Sequence, residues 1–158
     1  MDTVAFSVMG DLQRRDEVVK MMRGLYEEDQ AAHAPNFSLF PATVERLLSN
    51  PSAGQIVLFH EREELVGYAI LIPYWSNEFG GNLLFVDELF VAPAYRNRGI
   101  AHRFFARIGQ ERPFDAVALA LEVSPGNRNA NRLYESLGFE RRENAVLLRS
   151  LDSVRQTS

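Results

Sequence analysis

Apolar positions along the chain change period several times, and each change marks an element. Residues 3–9 (TVAFSVM) read as a first strand. Over 16–29, Val18, Val19, Met22, Leu25 and Tyr26 recur at helical spacing, and 41–49 (PATVERLLS) reads as a short helix with proline in its first turn. QIVLFH and LVGYAILIPYW flank the polar EREE and predict a hairpin, and SNEFGGN turns into a further strand over 83–91. Ile100, Ala101, Phe104, Phe105 and Ile108 put one apolar stripe on a helix over about 99–111. Residues 116–123 (AVALALEV) are apolar almost throughout, as expected of a strand covered on both faces. Ala130, Leu133, Tyr134 and Leu137 predict a last helix, with Gly138 where a left-handed C-cap residue belongs. Residues 145–151 (AVLLRSL) read as a closing strand and 152–158 as a frayed tail. The order of elements predicts one α/β domain over 1–151, with helices on both faces of a mixed sheet.

Composition adds exclusions. The chain has 158 residues, 46% hydrophobic and 24% charged, ordinary for one globular domain that holds its core without metal or disulfide. It has no cysteine, which removes disulfides, thiolate zinc sites and a cysteine nucleophile together. No window approaches 18 uninterrupted apolar residues, and the first residues lack the basic start and apolar stretch of a signal peptide, so a cytoplasmic protein without a membrane span is expected. His33, His60 and His102 are scattered without ligand spacing, so no metal site is expected.

Charge is more informative in its distribution than in its sum of −4. Residues 1–90 carry 14 Asp/Glu against 6 Lys/Arg, and residues 91–158 carry 7 against 11. Arg96, Arg98, Arg103, Arg107 and Arg112 crowd one short stretch. An acidic half and a basic half fit an anionic ligand on one side and a cationic one on the other, or simply two solvated faces. The acidic half would repel a polyanion, which argues against nucleic acid.

Two stretches carry the chemistry. In APAYRNRGIAHRF a strand ends, a short loop supplies Arg96 and Arg98, and Gly99 opens a helix. A helix start has unpaired N–H groups and partial positive charge, which suits phosphate. Taken alone, an anion site and an ordinary basic turn both stay open. In SPGNRNANRLYESLGFE, Asn127, Ala130, Leu133, Tyr134, Gly138 and Phe139 stand at fixed offsets after an apolar strand. Together the two stretches resemble the GCN5-related N-acetyltransferase (GNAT) superfamily. Arg96, Gly99 and Ala101 match its acyl-CoA loop R/Q-x-x-G-x-G/A, and Asn127, Tyr134, Gly138 and Phe139 match its later motif.

The resemblance implies a single-domain fold whose mixed, mostly antiparallel sheet splays between strands 4 and 5. It implies that acetyl-CoA, as acetyl donor, lies in that split. The pyrophosphate would meet the backbone of Asn97, Arg98, Gly99, Ile100, Ala101 and His102, and the pantetheine arm would pair with Leu89, Phe90 and Val91. Arg96, Arg98 and Arg103 are further phosphate candidates, and Asn127 and Tyr134 complete the donor site. Tyr134 lies where the family places its general acid for the departing thiolate. Dimers are common in the family, so a homodimer is a possibility the sequence leaves open.

Asp87 and Glu88 interrupt an apolar strand. Neighbouring strand residues face opposite sides, and isolated charges in a dry core are very costly, so at least one must face water or a ligand. The family's carboxylate at this place binds or deprotonates the amine. Asp87 has the matching position and Glu88 the longer reach, so both are candidates. Tyr26 and Asp29 in the acidic YEEDQAAH (26–33), with Tyr74, Trp75 and Glu78, are candidates for the acceptor pocket, since acidic and aromatic groups suit a cationic amine. A polyamine- or diamine-like acceptor leads. An amino acid, an aminoglycoside, a protein amine, or a non-catalytic acyl-CoA sensor are the alternatives.

Overall fold

The computed structural model describes residues 3–29 and 35–152. His33 and the end of the 26–33 cluster lie outside them, as does most of the tail. Strands β1 (Ala5–Val8), β2 (Gln55–Glu61), β3 (Glu64–Ser76), β4 (Gly81–Val91) and β5 (Ala118–Ala120) form one sheet in sequence order. Pairing is antiparallel up to β4, and β4–β5 is parallel. Helices α1 (Arg15–Glu28), α2 (Phe40–Ser49), α3 (Ile100–Glu111) and α4 (Arg128–Ser136) complete it.

Each sheet face has its own core. On one, Val18 and Met22 of α1 and Val44 and Leu47 of α2 pack on Leu58, Tyr68, Ile70 and Phe90. On the other, Ile100, Phe104, Phe105 and Ile108 of α3 pack on Phe59, Leu71, Leu84 and Val86, with Tyr134 of α4 and Leu137 just after it at the margin. The apolar stripes read for α1 and α3 face these cores, and that of α4 is half-buried.

Two features of the sheet set up the site. First, β5 meets β4 at only three pairs, Leu83↔Ala118, Leu84↔Leu119 and Phe85↔Ala120. Beyond Phe85 the strands part, and among the described residues the β4 edge from Val86 to Val91 has no strand partner on that side. Second, β4 shifts register against β3. Leu71 pairs with Val86 and Ile70 with Glu88, so Asp87 is an extra residue, a bulge. One extra residue reverses which face the following side chains take. Leu84 and Val86 therefore join the α3 core, whereas Phe90 joins the α1 core and Glu88 turns the same way.

The closing strand expected over 145–151 does not form. Val146, Leu147, Leu148 and Leu151 are 74%, 92%, 90% and 93% exposed. Residues 145–148 are a continuous apolar run and Leu151 follows two polar residues, so no alternating face selects a register. The strand expected over 116–123 is correspondingly short and half-buried rather than covered on both faces.

Candidate active site

The cleft between β4 and β5 begins where their pairing stops. Asp87, as the bulge residue, is exposed there. Had the pairing continued, it would have faced Glu122, two residues past β5. Partial desolvation, and secondly the Glu122 charge, raise the Asp87 carboxyl above its ordinary value. Glu122 is a site residue that sequence reasoning missed. Its signal was a lone acid at the end of an apolar strand, and only the opposite wall gives it a partner.

Glu88 is held from the other side of the sheet. Tyr68 Oη donates to its Oε1 at 2.8 Å, and Tyr26 Oη donates to its Oε2 at 2.9 Å. Burial raises the Glu88 carboxyl, the two phenol hydrogen bonds pull it down, and the direction overall is up. Both phenols are pushed well up, first by burial and then by the Glu88 charge. Tyr26 thus reaches the site as a partner of Glu88. Tyr68, hidden in an apolar run, was not visible as a polar partner in the sequence.

Tyr134 stands on α4, on the far wall. Asn127 caps this helix, its Oδ1 accepting from Ala130 N–H at 3.2 Å. At the other end Gly138 takes φ +86°, Phe139 N–H donates to Tyr134 O at 3.0 Å, and Gly138 N–H donates to Glu135 O at 3.1 Å. This is a Schellman ending, with Phe139 folded back onto Tyr134 at 5.7 Å between ring centroids. Phe105 of α3 meets the Tyr134 ring edge-on at 6.0 Å. The Gly-Phe pair therefore fixes the phenol. Burial raises its pKa, so it is protonated at neutral pH, and no described residue hydrogen-bonds its hydroxyl. Gly138→Ala meets open space, so its cost is conformational, about 1–2 kcal/mol, read as a lower Tm.

The loop before α3 fits a phosphate group. Gly99 takes φ +74° as N-cap, no side chain caps the helix start, and a Cβ at this position would meet nothing within 4 Å. Asn97 is also left-handed, at φ 60°. The first amides of α3 (Ile100, Ala101, His102) have no carbonyl one turn earlier to bond. The free β4 edge at Leu89, Phe90 and Val91 offers backbone groups to an extended arm. These residues suit an acyl-CoA pyrophosphate and pantetheine.

The arginines are less available than the sequence implied. Arg96 Nη2 donates to both Glu28 oxygens at 2.8 Å, its Nε donates to Val91 O at 2.8 Å, and its guanidinium lies 5.5 Å from the Phe90 ring centroid. It ties the loop to α1. Arg98 pairs with Glu61 at 3.2 Å, while Arg103 is exposed on the first turn of α3. His102 Nε2 contacts Ser136 Oγ at 3.3 Å, joining α3 to α4.

Of the acceptor candidates, Asp29 ends α1 with its Oδ1 3.5 Å from Ser124 Oγ, just past β5. The structure does not bring Tyr74, Trp75 and Glu78 to the carboxylates. Tyr74 pairs with Leu83, four strand residues from Asp87, or about 13 Å along the strand. Tyr74 and Trp75 are 57% and 67% exposed, and Glu78 pairs with Arg142 at 2.8 Å. Antiparallel pairing carries β3 away from the cleft as β4 approaches it.

Comparison with known proteins agrees with this architecture. The family described as Acetyltransferase (GNAT) family matches residues 18–139. An uncharacterized N-acetyltransferase, YhfO, of Bacillus subtilis (strain 168) is 30% identical over 89 residues, 54% of this chain. The match spans 58% of that relative's length. The ribosomal protein bS18-alanine N-acetyltransferase of Haemophilus ducreyi (strain 35000HP / ATCC 700724) is 30% identical over 140 residues, 78% of this chain and 89% of that protein. A solved structure of a possible acetyltransferase from Clostridium difficile 630 superposes with a TM-score of 0.80 over 94% of this chain and 98% of that one, at 20% identity, a likeness of fold. With a splayed β4–β5 cleft, a glycine-capped loop and the Asn–Tyr–Gly–Phe helix all in place, the chain belongs to the GNAT family of acetyltransferases.

Proposed function

We propose that the protein transfers the acetyl group of acetyl-CoA directly to a small cationic amine of polyamine or diamine type. The observation that carries this reading is Asp87 facing Glu122 across the opening of the cleft, with Glu88 next to it in the chain and turned toward α1. Acidic groups so placed attract a cation and repel an anion.

The chemistry takes two protons from the amine nitrogen and gives one to the departing thiolate. An amine of lysine type has pKa about 10.4, so only about one in 2,500 is free base at pH 7. Asp87, exposed and with its carboxyl raised, takes the proton from the ammonium. The freed nitrogen attacks the thioester carbonyl carbon, the C–S bond breaks, and the nitrogen gives up its second proton to water. Tyr134, whose hydroxyl has no partner among the described residues, returns a proton to the thiolate. The amides of residues 97–102 and the free edge at Leu89, Phe90 and Val91 support the donor in this scheme.

A second reading has one observation of its own: the Haemophilus ducreyi relative is by name an enzyme of a protein's alanine. A peptide α-amine, with pKa near 8, would need less help from a base. Release of free CoA from acetyl-CoA at about pH 8, measured against diamines, polyamines, an aminoglycoside and an alanine-starting peptide, separates the two. Turnover with diamines or polyamines supports the first reading. Turnover confined to the peptide replaces it, and saturable acetyl-CoA binding without turnover on any amine makes the protein a sensor.

A further inference from the structure

The acetyl-transfer scheme leaves Glu88 without a task, yet its carboxylate is engaged at both oxygens. Tyr68 comes from the middle of β3 and is fully buried, and its hydroxyl is spent on Glu88 Oε1 at 2.8 Å. Tyr26 comes from α1, its ring 5.2 Å from Phe40 of α2, and reaches Oε2 at 2.9 Å. Phenylalanine at either position would fill much the same volume without burying a hydroxyl. Two phenols replace the water that a half-buried carboxylate would otherwise lose, and they set its direction.

A carboxylate oxygen has two acceptor sites, so each oxygen of Glu88 keeps one free. The two phenol hydrogen bonds favour the charged form of Glu88, whereas Asp87 has no such donors among the described residues and faces Glu122. Asp87 and Glu88 are chain neighbours divided by the bulge, one at the cleft opening and one turned toward α1. An acceptor with a single amine would use only the first.

We infer that Tyr26 and Tyr68 are positioning residues that fix Glu88 as the docking point for a second, non-reacting ammonium of the acceptor, so that diamines are selected over monoamines. This rests on the cationic-amine reading above. Among the described residues the titratable groups facing Glu88 are Tyr26 of α1, Tyr68 of β3 and Asp87 on β4 itself.

Two measurements test it. In the free protein, carbon-13 NMR of labelled glutamate carboxyls follows Glu88, assigned by its loss in Glu88→Gln. Tyr68→Phe and Tyr26→Phe remove a hydrogen bond that favours the charged form, so Glu88 should titrate at higher pH in each. An unchanged titration in both overturns the positioning role, whatever the enzyme acetylates. Should Tyr68→Phe lose its fold on a thermal melt, the partly exposed Tyr26→Phe carries the same comparison.

The second measurement is the KM of a linear diamine against that of the monoamine of equal chain length. Glu88→Gln should raise the diamine KM about tenfold relative to the monoamine, the size of one hydrogen bond to a charged group. The tyrosine variants should move the same ratio by less. Equal changes for the two amines overturn the docking role. A shifted titration with no amine turned over by the wild type leaves the clamp standing and removes the acceptor reading and the docking role together.

Discussion

Tyr134→Phe should slow acetyl transfer by about 10²–10⁴-fold in kcat, the range lost with a general acid, with little change in the KM of acetyl-CoA. The ring would stay where it is, because Phe139 and Phe105 grip its edges rather than its hydroxyl. The hydroxyl itself makes no hydrogen bond to a described residue, so removing it breaks no protein network and Tm should hold. Burial keeps the phenol protonated well above neutral pH, which is the state an acid must start from. A KM effect without loss of kcat would make Tyr134 a wall of the donor site and leave the thiolate to take its proton from water.

Asp87→Asn should lower kcat/KM for the amine by about 10²–10⁴-fold at neutral pH and abolish the acid limb of its pH profile. The amide has nearly the same shape and would keep the bulge, so the loss would be one of proton acceptance. In the wild type that limb should lie above the ordinary carboxylate range. A base works only when deprotonated, so the rate rises as pH passes its pKa, and desolvation and Glu122 both move that pKa upward. Glu122→Gln removes the repelling charge, lowers the Asp87 pKa and should carry the limb to lower pH. A limb that shifts upward, or survives Asp87→Asn, would give the proton to another group.

Local signals in the sequence determined a good part of this protein. The apolar stripe of Ile100, Phe104, Phe105 and Ile108 is the buried face of α3, Gly138 is a left-handed helix ending, and the glycine before α3 is its N-cap. These depend on a few adjacent residues and their backbone preferences, which a linear reading captures. The mixed, mostly antiparallel sheet and the β4–β5 splay followed from the family resemblance and stand in the structure.

Tertiary structure alone decided how the site is wired. A one-residue bulge leaves no mark in a strand that is apolar on both sides of it, yet it divides Asp87 from Glu88 and turns Glu88 toward α1. Tyr68 looked like core and Glu122 like a strand end until Glu88 and Asp87 came beside them, and Arg96, a phosphate candidate, also pairs with Glu28. Tyr74, candidate for the acceptor pocket with Trp75 and Glu78, lies four strand residues from the level of Asp87. Residues 145–151 had the composition of a strand but no alternating face to fix a register. A hydrogen bond between residues 20 or 62 positions apart exists only once register and packing have brought them together. Side-chain type sets what a residue can do, and its long-range neighbours set which of those things it does.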